Sequence, residues 1–426
     1  MPSSSLQLPT PLIVDMGSWT TKSGFGGEEA PRRECRTVVG RPRHPGTPAS
    51  ILLSDDNISD GVVSSDVTGD AAIANRGLLT VDRILQRGHV QSTSSWPQVE
   101  QLLHSLYTTQ LRVPPEDHPL ILSESPDISK QDREKFAHIL FETLNVPAAV
   151  MMNSGVLTTY ASGRTTGIAV ESGAERTHVV PVWEGYALPH ATHRMNFGGN
   201  DITWALADRL RSEGYSISTE QDFDNLNSVK EATNMCYVAK DYKTEVDKFR
   251  QLTAARRATS PFTLPDGNNV HVADQRFLLP EMLFRFELMP DEDYYFSDSK
   301  KNDRILGAPT TPTSALSCGD RFDGLSSVLL ESVRLSDTAL HQEMLGNIVL
   351  GGGNTLLTGF DDRLQKEVAS RVPGSVVVRT MSFPCRKYST WLGGSVLGTV
   401  STLPCMWTSK AEYEEEGVNI VHTKWI

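Results

Sequence analysis

The chain of 426 residues is too long for one small domain and long enough for two or three with large buried cores. Hydrophobic residues make up 38% and charged residues 22%, which excludes a disordered or fibrous chain. Its 40 Lys and Arg against 52 Asp and Glu leave a formal charge of −12, which disfavours generic binding to nucleic acid or to an anionic membrane.

No run approaches about 18 consecutive apolar residues, so no spanning helix is expected. Pro2-Ser3-Ser4-Ser5-Leu6-Gln7 lacks the basic and apolar stretches of a secretory leader. Cys35, Cys236, Cys318, Cys385 and Cys405 are scattered without CxxC spacing, as in a reduced cytosolic or nuclear protein without a zinc module. The expectation is a soluble intracellular protein.

In chain order, Leu12-Ile13-Val14 reads as a buried strand that enters a turn at Asp15 and Gly17. Pro119-Leu120-Ile121-Leu122 is a second such strand, closed by Ser123-Glu124-Ser125-Pro126. From Lys130 to Leu144, Phe136, Ile139, Leu140 and Leu144 fall on one face of a helix, which Asn145 and Pro147 stop. Ile168-Ala169-Val170 and Val179-Val180-Pro181-Val182 flank a turn as a hairpin does. Asn347-Ile348-Val349-Leu350 is a further buried strand that ends in Gly351-Gly352-Gly353. Strands alternating with helices predict an α/β protein with central sheets covered by helices.

Leu12-Ile13-Val14-Asp15-x-Gly17-Ser18 is echoed by Ile168-Ala169-Val170-Glu171-x-Gly173-Ala174, which suits two related lobes. Residues 44–75 and 290–318 are rich in polar residues and proline without a sustained period, and read as surface insertions.

A glycine turn after a strand lets backbone N–H groups approach phosphate with no Cβ in the way. Three segments offer this: Asp15 to Lys22, with Gly17, Ser18 and Trp19; Glu171-Ser172-Gly173-Ala174; and Gly351-Gly352-Gly353-Asn354-Thr355. Lys22 would add a cation, and Asp15 and Glu171 would hold Mg²⁺ through water, since that ion keeps most of its hydration shell. Any one of these glycine motifs alone is better explained as a tight turn, because isolated glycine motifs match by chance.

Taken together and in this order, the three loops resemble those of actin and the actin-related proteins. Supporting text includes Val39-Gly40-Arg41-Pro42-Arg43-His44, Tyr160-Ala161-Ser162-Gly163-Arg164-Thr165-Thr166-Gly167, Glu184-Gly185-Tyr186-Ala187-Leu188-Pro189-His190, Leu264-Pro265-Asp266-Gly267 and Tyr388-Ser389-Thr390-Trp391-Leu392-Gly393-Gly394-Ser395. The likeness runs from Pro11 to Ile426. It implies an actin-like ATPase fold of α/β class: two lobes, each with a ribonuclease-H-like sheet, and ATP–Mg²⁺ in the cleft between them. It also implies residues 1–163 as the first lobe, with most of a small outer subdomain at 40–85. Residues 164–380 would form the second lobe, with an insertion near 290–318, and 381–426 would return to the first.

The chain departs from the family pattern at the phosphate loops. Glu171-Ser172-Gly173-Ala174-Glu175 stands where the family has Asp-Ser-Gly-Asp-Gly, so Ala174 removes a carboxylate. Ser154 stands where a glutamine orients the attacking water, with Asn153 as a partial substitute, while His178 matches the family's histidine near that water. Trp19 replaces a glycine beside the expected β-phosphate position, or else turns outward against a neighbouring strand. Gly352, Gly353 and Lys387 match positions flanking the base, whereas Lys230-Glu231 is displaced by two residues relative to Cys236. These changes imply ATP binding with weak or absent hydrolysis, at most a slow ATPase.

The family groove that receives partners corresponds to Tyr160, Ala161, Tyr186 and the stretch from Leu397 to Met406, so protein partners, other actin-fold subunits among them, are expected there. No direct nucleic-acid or membrane contact is expected. The segment 44–75 replaces the loop that inserts into a neighbour in a filament, and Arg32, Arg33, Arg36, Arg41 and Arg43 form a basic run suited to an acidic partner. The resulting expectation is a structural subunit of a cytoplasmic, cytoskeletal assembly. The alternatives are a nuclear subunit of a chromatin-remodelling complex and a polymerising ATPase; a sugar kinase of the same superfamily is disfavoured.

Overall fold

The computed structural model describes residues 9–44, 66–231, 235–252, 262–263, 269–288, 323–400 and 403–425. The segment 290–318, the segment Leu264 to Gly267 and residues 45–65 lie outside them. The described residues form two compact units, one holding those up to Thr165 and from Tyr388 onward, the other those between Thr166 and Lys387. Among the described residues no helix is long and apolar enough to cross a membrane.

The first unit is built on a six-stranded sheet. β1 (Leu12–Met16) and β2 (Thr20–Phe25) form an antiparallel hairpin in which Asp15 lies opposite Lys22. β3 (Arg33–Arg36) extends it beside β2. On the other side β4 (Leu120–Glu124) runs parallel to β1, β5 (Ala148–Asn153) runs parallel to β4, and Thr408–Ser409 closes the edge. Leu12, Ile13 and Val14 are buried on both faces, as a continuous apolar strand requires.

α1 (Lys130–His138) starts at Ser129, whose hydroxyl accepts the Asp132 N–H at 3.0 Å. Phe136, Ile139, Leu140 and Leu144 are buried, as their spacing predicts. The expectation of a uniform α-helix to Leu144 is corrected, because Ile139–Thr143 widens into a π-turn. The same apolar residues serve either winding, so the sequence pattern does not distinguish them.

α2 (Ser154–Ala161) crosses the helix Ser389–Leu397 at close quarters. A Cβ on Gly393 would lie 1.8 Å from the Leu157 carbonyl oxygen, so only glycine permits the crossing. Beside it Trp391 is fully buried and donates its indole N–H to the Ile13 carbonyl at 3.2 Å.

A small sheet places Val38–Pro42 between Val67–Thr68 and Leu79–Arg83. Asp70–Ala74 is helical and buries Ala72 against Val38, Val67 and Leu79. The end of the 44–75 segment is therefore regular structure, contrary to the irregular reading. Elements of two and five residues are too short to show a period.

The second unit repeats the plan. β6 (Gly167–Ser172) and β7 (Thr177–Trp183) form an antiparallel hairpin with Glu171 opposite His178. β8 (His193–Met195) lies on the outer side of β7. β9 (Ile348–Gly351) runs parallel to β6, and β10 (Thr380–Met381) runs parallel to β9. The echo between Asp15 and Glu171 is thus a topological equivalence: each acid sits near the end of a strand with a hairpin partner on one side and a parallel strand on the other.

α3 (Gly199–Ser212) and α4 (Glu220–Glu231) cover this sheet, burying Ile202, Leu206, Leu226 and Val229 with Ile168, Val170, Ile348 and Leu350. Deeper in the unit Arg363 grips Glu281 through two bonds of 2.9 and 2.6 Å and donates to the Ala239 carbonyl at 2.6 Å. Both side chains are buried, so each charge depends on the other.

Candidate functional site

The β1–β2 turn is held by its own polar side chains. Asp15 is buried, with one carboxylate oxygen 2.9 Å from the Lys22 ammonium and the other accepting the Ser123 hydroxyl at 2.8 Å. The Gly17 carbonyl accepts the Thr37 hydroxyl at 2.6 Å, and the Ser18 hydroxyl accepts the Gly88 N–H at 3.0 Å. Asp15, Gly17, Ser18 and Lys22 are therefore brought together as the sequence suggests. Ser123 and Thr37 were not singled out. Ser123 sits on β4 and Thr37 just past the end of β3, so each reaches the turn only through sheet pairing, a relation no local spacing reveals.

Trp19 packs against neighbours in the first unit. The Arg36 guanidinium lies 3.6 Å from its ring centroid and that of Arg83 lies 5.5 Å away. This is the outward packing against a neighbouring strand that the sequence left open. The basic run is also engaged internally. Arg32 pairs with Glu28 at 2.5 Å, Arg41 lies 3.9 Å from Asp66, and Arg33 and Arg43 donate to the Gln110 and Leu79 carbonyls.

Ser154 opens α2 and Asn153 caps it, its side-chain carbonyl accepting the Gly155 N–H at 2.9 Å. The expectation that Asn153 partly replaces a water-orienting amide meets this competing use, since its carbonyl oxygen already serves the helix.

In the second unit Glu171 and His178 are direct cross-strand neighbours and both are buried. The Gly173 N–H donates to the Arg176 carbonyl at 2.8 Å, closing a two-residue turn over Ala174 and Glu175. Gly199 and Asn200, at the start of α3, donate backbone N–H groups to the carbonyls of Gly173 and Ala174 at 3.0 and 2.6 Å. The turn is thereby fixed to the helix.

The third glycine turn rests on the second. Gly352 has φ +87°, and a Cβ there would lie 2.3 Å from the Ser172 carbonyl oxygen. Asn354 donates to the Ser172 hydroxyl at 3.0 Å, while its own carbonyl oxygen is buried without a hydrogen-bond partner among the described residues. The Gly352 N–H donates to the Arg386 carbonyl at 3.0 Å, which brings Lys387 next to this turn. Space around Gly353 is open and Leu356 is exposed beside it.

Lys230 turns into the fold. Its ammonium donates to the Gly199 carbonyl at 2.8 Å and to the Thr203 hydroxyl at 3.0 Å, and burial lowers its pKa to about 8. Glu231 accepts the Asn227 amide at 2.9 Å.

Of the partner-surface residues, Tyr160 and Ala161 end α2 half-buried, Met406 is half-buried, and Tyr186 is exposed in the second unit. Leu397 is buried near the end of its helix, and the exposed apolar side chains beside it are Val396 and Val400.

The residues present suit a magnesium nucleotide. In the first unit Asp15 is a hard oxygen donor beside the Lys22 ammonium, in the second Glu171 is another, and the Asn354 side-chain oxygen there is an unmet acceptor suited to an N–H of a base. A family model described as Actin matches residues 8–426.

Proposed function

The chain belongs to the actin family, and from that premise we propose that it binds ATP–Mg²⁺ and serves as a structural subunit of a cytoskeletal assembly, with weak or absent hydrolysis. The observation that carries this reading is the pair of equivalent hairpins, with Asp15 opposite Lys22 in one and Glu171 opposite His178 in the other. Lys22 and the backbone N–H groups of the glycine turns bind the phosphates. Asp15 and Glu171 hold the water shell of Mg²⁺, which neutralises phosphate charge when bound. Gly353, Leu356 and Lys387 stand beside the base.

Turnover is weak on this reading because Ser154 is too short to orient a water, Asn153 is committed to its cap, and Ala174 offers no carboxylate. Thermal melts with and without millimolar ATP–Mg²⁺, together with assay of nucleotide retained through purification, test the binding. A ligand selective for the native state raises the melting temperature by mass action. No shift and no retained nucleotide refutes it.

The altered turns around Trp19 and Ala174 favour a second reading, a nuclear subunit of a chromatin-remodelling complex. Localisation of a tagged protein and identification of co-purifying subunits separate the two: cytoskeletal subunits support the first and nuclear ones the second.

A further inference from the structure

The chain enters the small sheet of the first unit after β3, which ends at Arg36, and starts its first strand there at Val38. It leaves after Leu79–Arg83, and Leu85 already belongs to the next hairpin. These two crossings lie side by side. Val38 stands opposite Arg83 in the register, and the Ile84 N–H donates to the Thr37 carbonyl at 3.4 Å. Trp19 stands over this neck. Arg36 comes from one crossing and Arg83 from the other, and their guanidiniums lie 3.6 and 5.5 Å from the same indole centroid.

The backbone of the first glycine turn grips the same place. The Trp19 carbonyl accepts the Thr37 N–H at 3.1 Å, and the Gly17 carbonyl accepts the Thr37 hydroxyl at 2.6 Å. Ser18 accepts the Gly88 N–H just beyond the second crossing. Elsewhere the small sheet is fastened to the helix Trp96–Ser105 by single side-chain hydrogen bonds: Thr68 to Ser105 at 2.8 Å, Gln101 to the Asp66 carbonyl at 3.0 Å, and Gln98 to Asp82 at 3.4 Å. Folding exchanges each such bond for one to water, so its net hold is small. A cation over an indole face is held by the ring quadrupole, and a guanidinium stacks flat on it while its N–H edge serves other partners. We infer that Trp19 is a clamp across the neck of the small sheet, joining both crossings to the first glycine turn. The clamp does not depend on any nucleotide.

Hydrogen exchange of the full-length protein tests this, read by mass spectrometry on peptides covering Val38–Pro42 and Leu79–Arg83, with Leu120–Glu124 as internal reference. Trp19→Ala is expected to speed exchange about tenfold in the first two segments and to leave the reference unchanged. Trp19→Phe keeps an aromatic face and should fall between wild type and Trp19→Ala. Arg36→Gln together with Arg83→Gln should match Trp19→Ala and add nothing when combined with it, as partners in one interaction do. That arginine pair carries the test if Trp19→Ala does not fold. Wild-type exchange in Trp19→Ala, equal acceleration of all three segments, or full additivity between Trp19→Ala and the arginine pair overturns the inference.

Discussion

The side-chain carbonyl of Asn153 accepts the Gly155 N–H at 2.9 Å, at the point where β5 hands over to α2. A helix cap and a water-orienting amide make opposite demands on one oxygen, because the cap directs it at the first helical turn. Asn153→Ala is expected to cost about 1 kcal/mol of stability by chemical denaturation, as lost caps do. It should leave the ATP turnover rate unchanged. A drop in single-turnover rate larger than the stability loss explains would return Asn153 to the chemistry.

Turnover itself should be slow. Misplacing a reactant by about 1 Å costs on the order of a hundredfold in rate, and Ser154 with Ala174 removes two groups that would position water. Single-turnover hydrolysis is expected to be slower than that of conventional actin filaments by about this factor or more. Ser154→Gln, Ala174→Asp and Glu171→Asp combined should raise it. A wild-type rate equal to that of actin filaments defeats the argument.

Lys230 makes stability depend on alkaline pH. Its folded pKa of about 8 lies below the ordinary 10.5 because burial penalises the ammonium. Below about 8 both folded and unfolded chains hold the proton, and between the two values the unfolded chain holds more, so stability rises with pH. The gain across this window is at most about 3 kcal/mol. Relative to Lys230→Met, the wild-type protein should therefore gain stability in urea titrations between pH 8 and 10.5. A difference that is flat with pH would show that the ammonium is not penalised.

Arg363 and Glu281 should respond more strongly to single changes than to a paired one. Arg363→Met leaves Glu281 buried without its main counter-charge and is expected to destabilise by about 3–5 kcal/mol. Arg363→Met with Glu281→Leu should recover most of that loss. The two measurements form a double-mutant cycle, and simple additivity would mean that the charges are not coupled.

Assembly is the remaining expectation. Sedimentation at concentrations well above those that polymerise actin should leave the purified protein in the supernatant if, as the sequence reading expects, the segment 44–75 replaces the family's filament loop. Abundant long filaments in the pellet would replace the scaffold reading with that of a polymerising ATPase.

The strands were legible because Leu12-Ile13-Val14 and Ile348-Val349-Leu350 are continuous apolar runs buried on both faces, a pattern that needs no partner to be recognised. The two hairpin acids were legible for a related reason, since each ends such a run just before a glycine. What surrounds them was not. Ser123 reaches Asp15, and Arg194 faces His178, across strands far apart in sequence, and such register is written in pairing, not in local composition. Trp19 illustrates the same limit. Its size was plain from the sequence, but its stacking on Arg36 depends on β3 lying beside β2. The short elements at Val67–Thr68 and Asp70–Ala74 fell below the length at which a period can be read.

The seating of Trp391 against Ile13 bears on the order in which the chain folds as it leaves the ribosome. The indole donates to a carbonyl of the first strand, and Gly393 locks its helix onto Leu157. A nascent chain has therefore exposed β1 and α2 long before the segment that covers them exists, and it must synthesise the whole second unit in the interval. The described residues of the second unit all lie between Thr166 and Lys387, so it can close as soon as it emerges, whereas the N-terminal part waits with an open apolar face. Holding that face until the last tenth of the chain arrives is a task for chaperones, and ribosome-bound chains stalled before Tyr388 are where their engagement should be greatest.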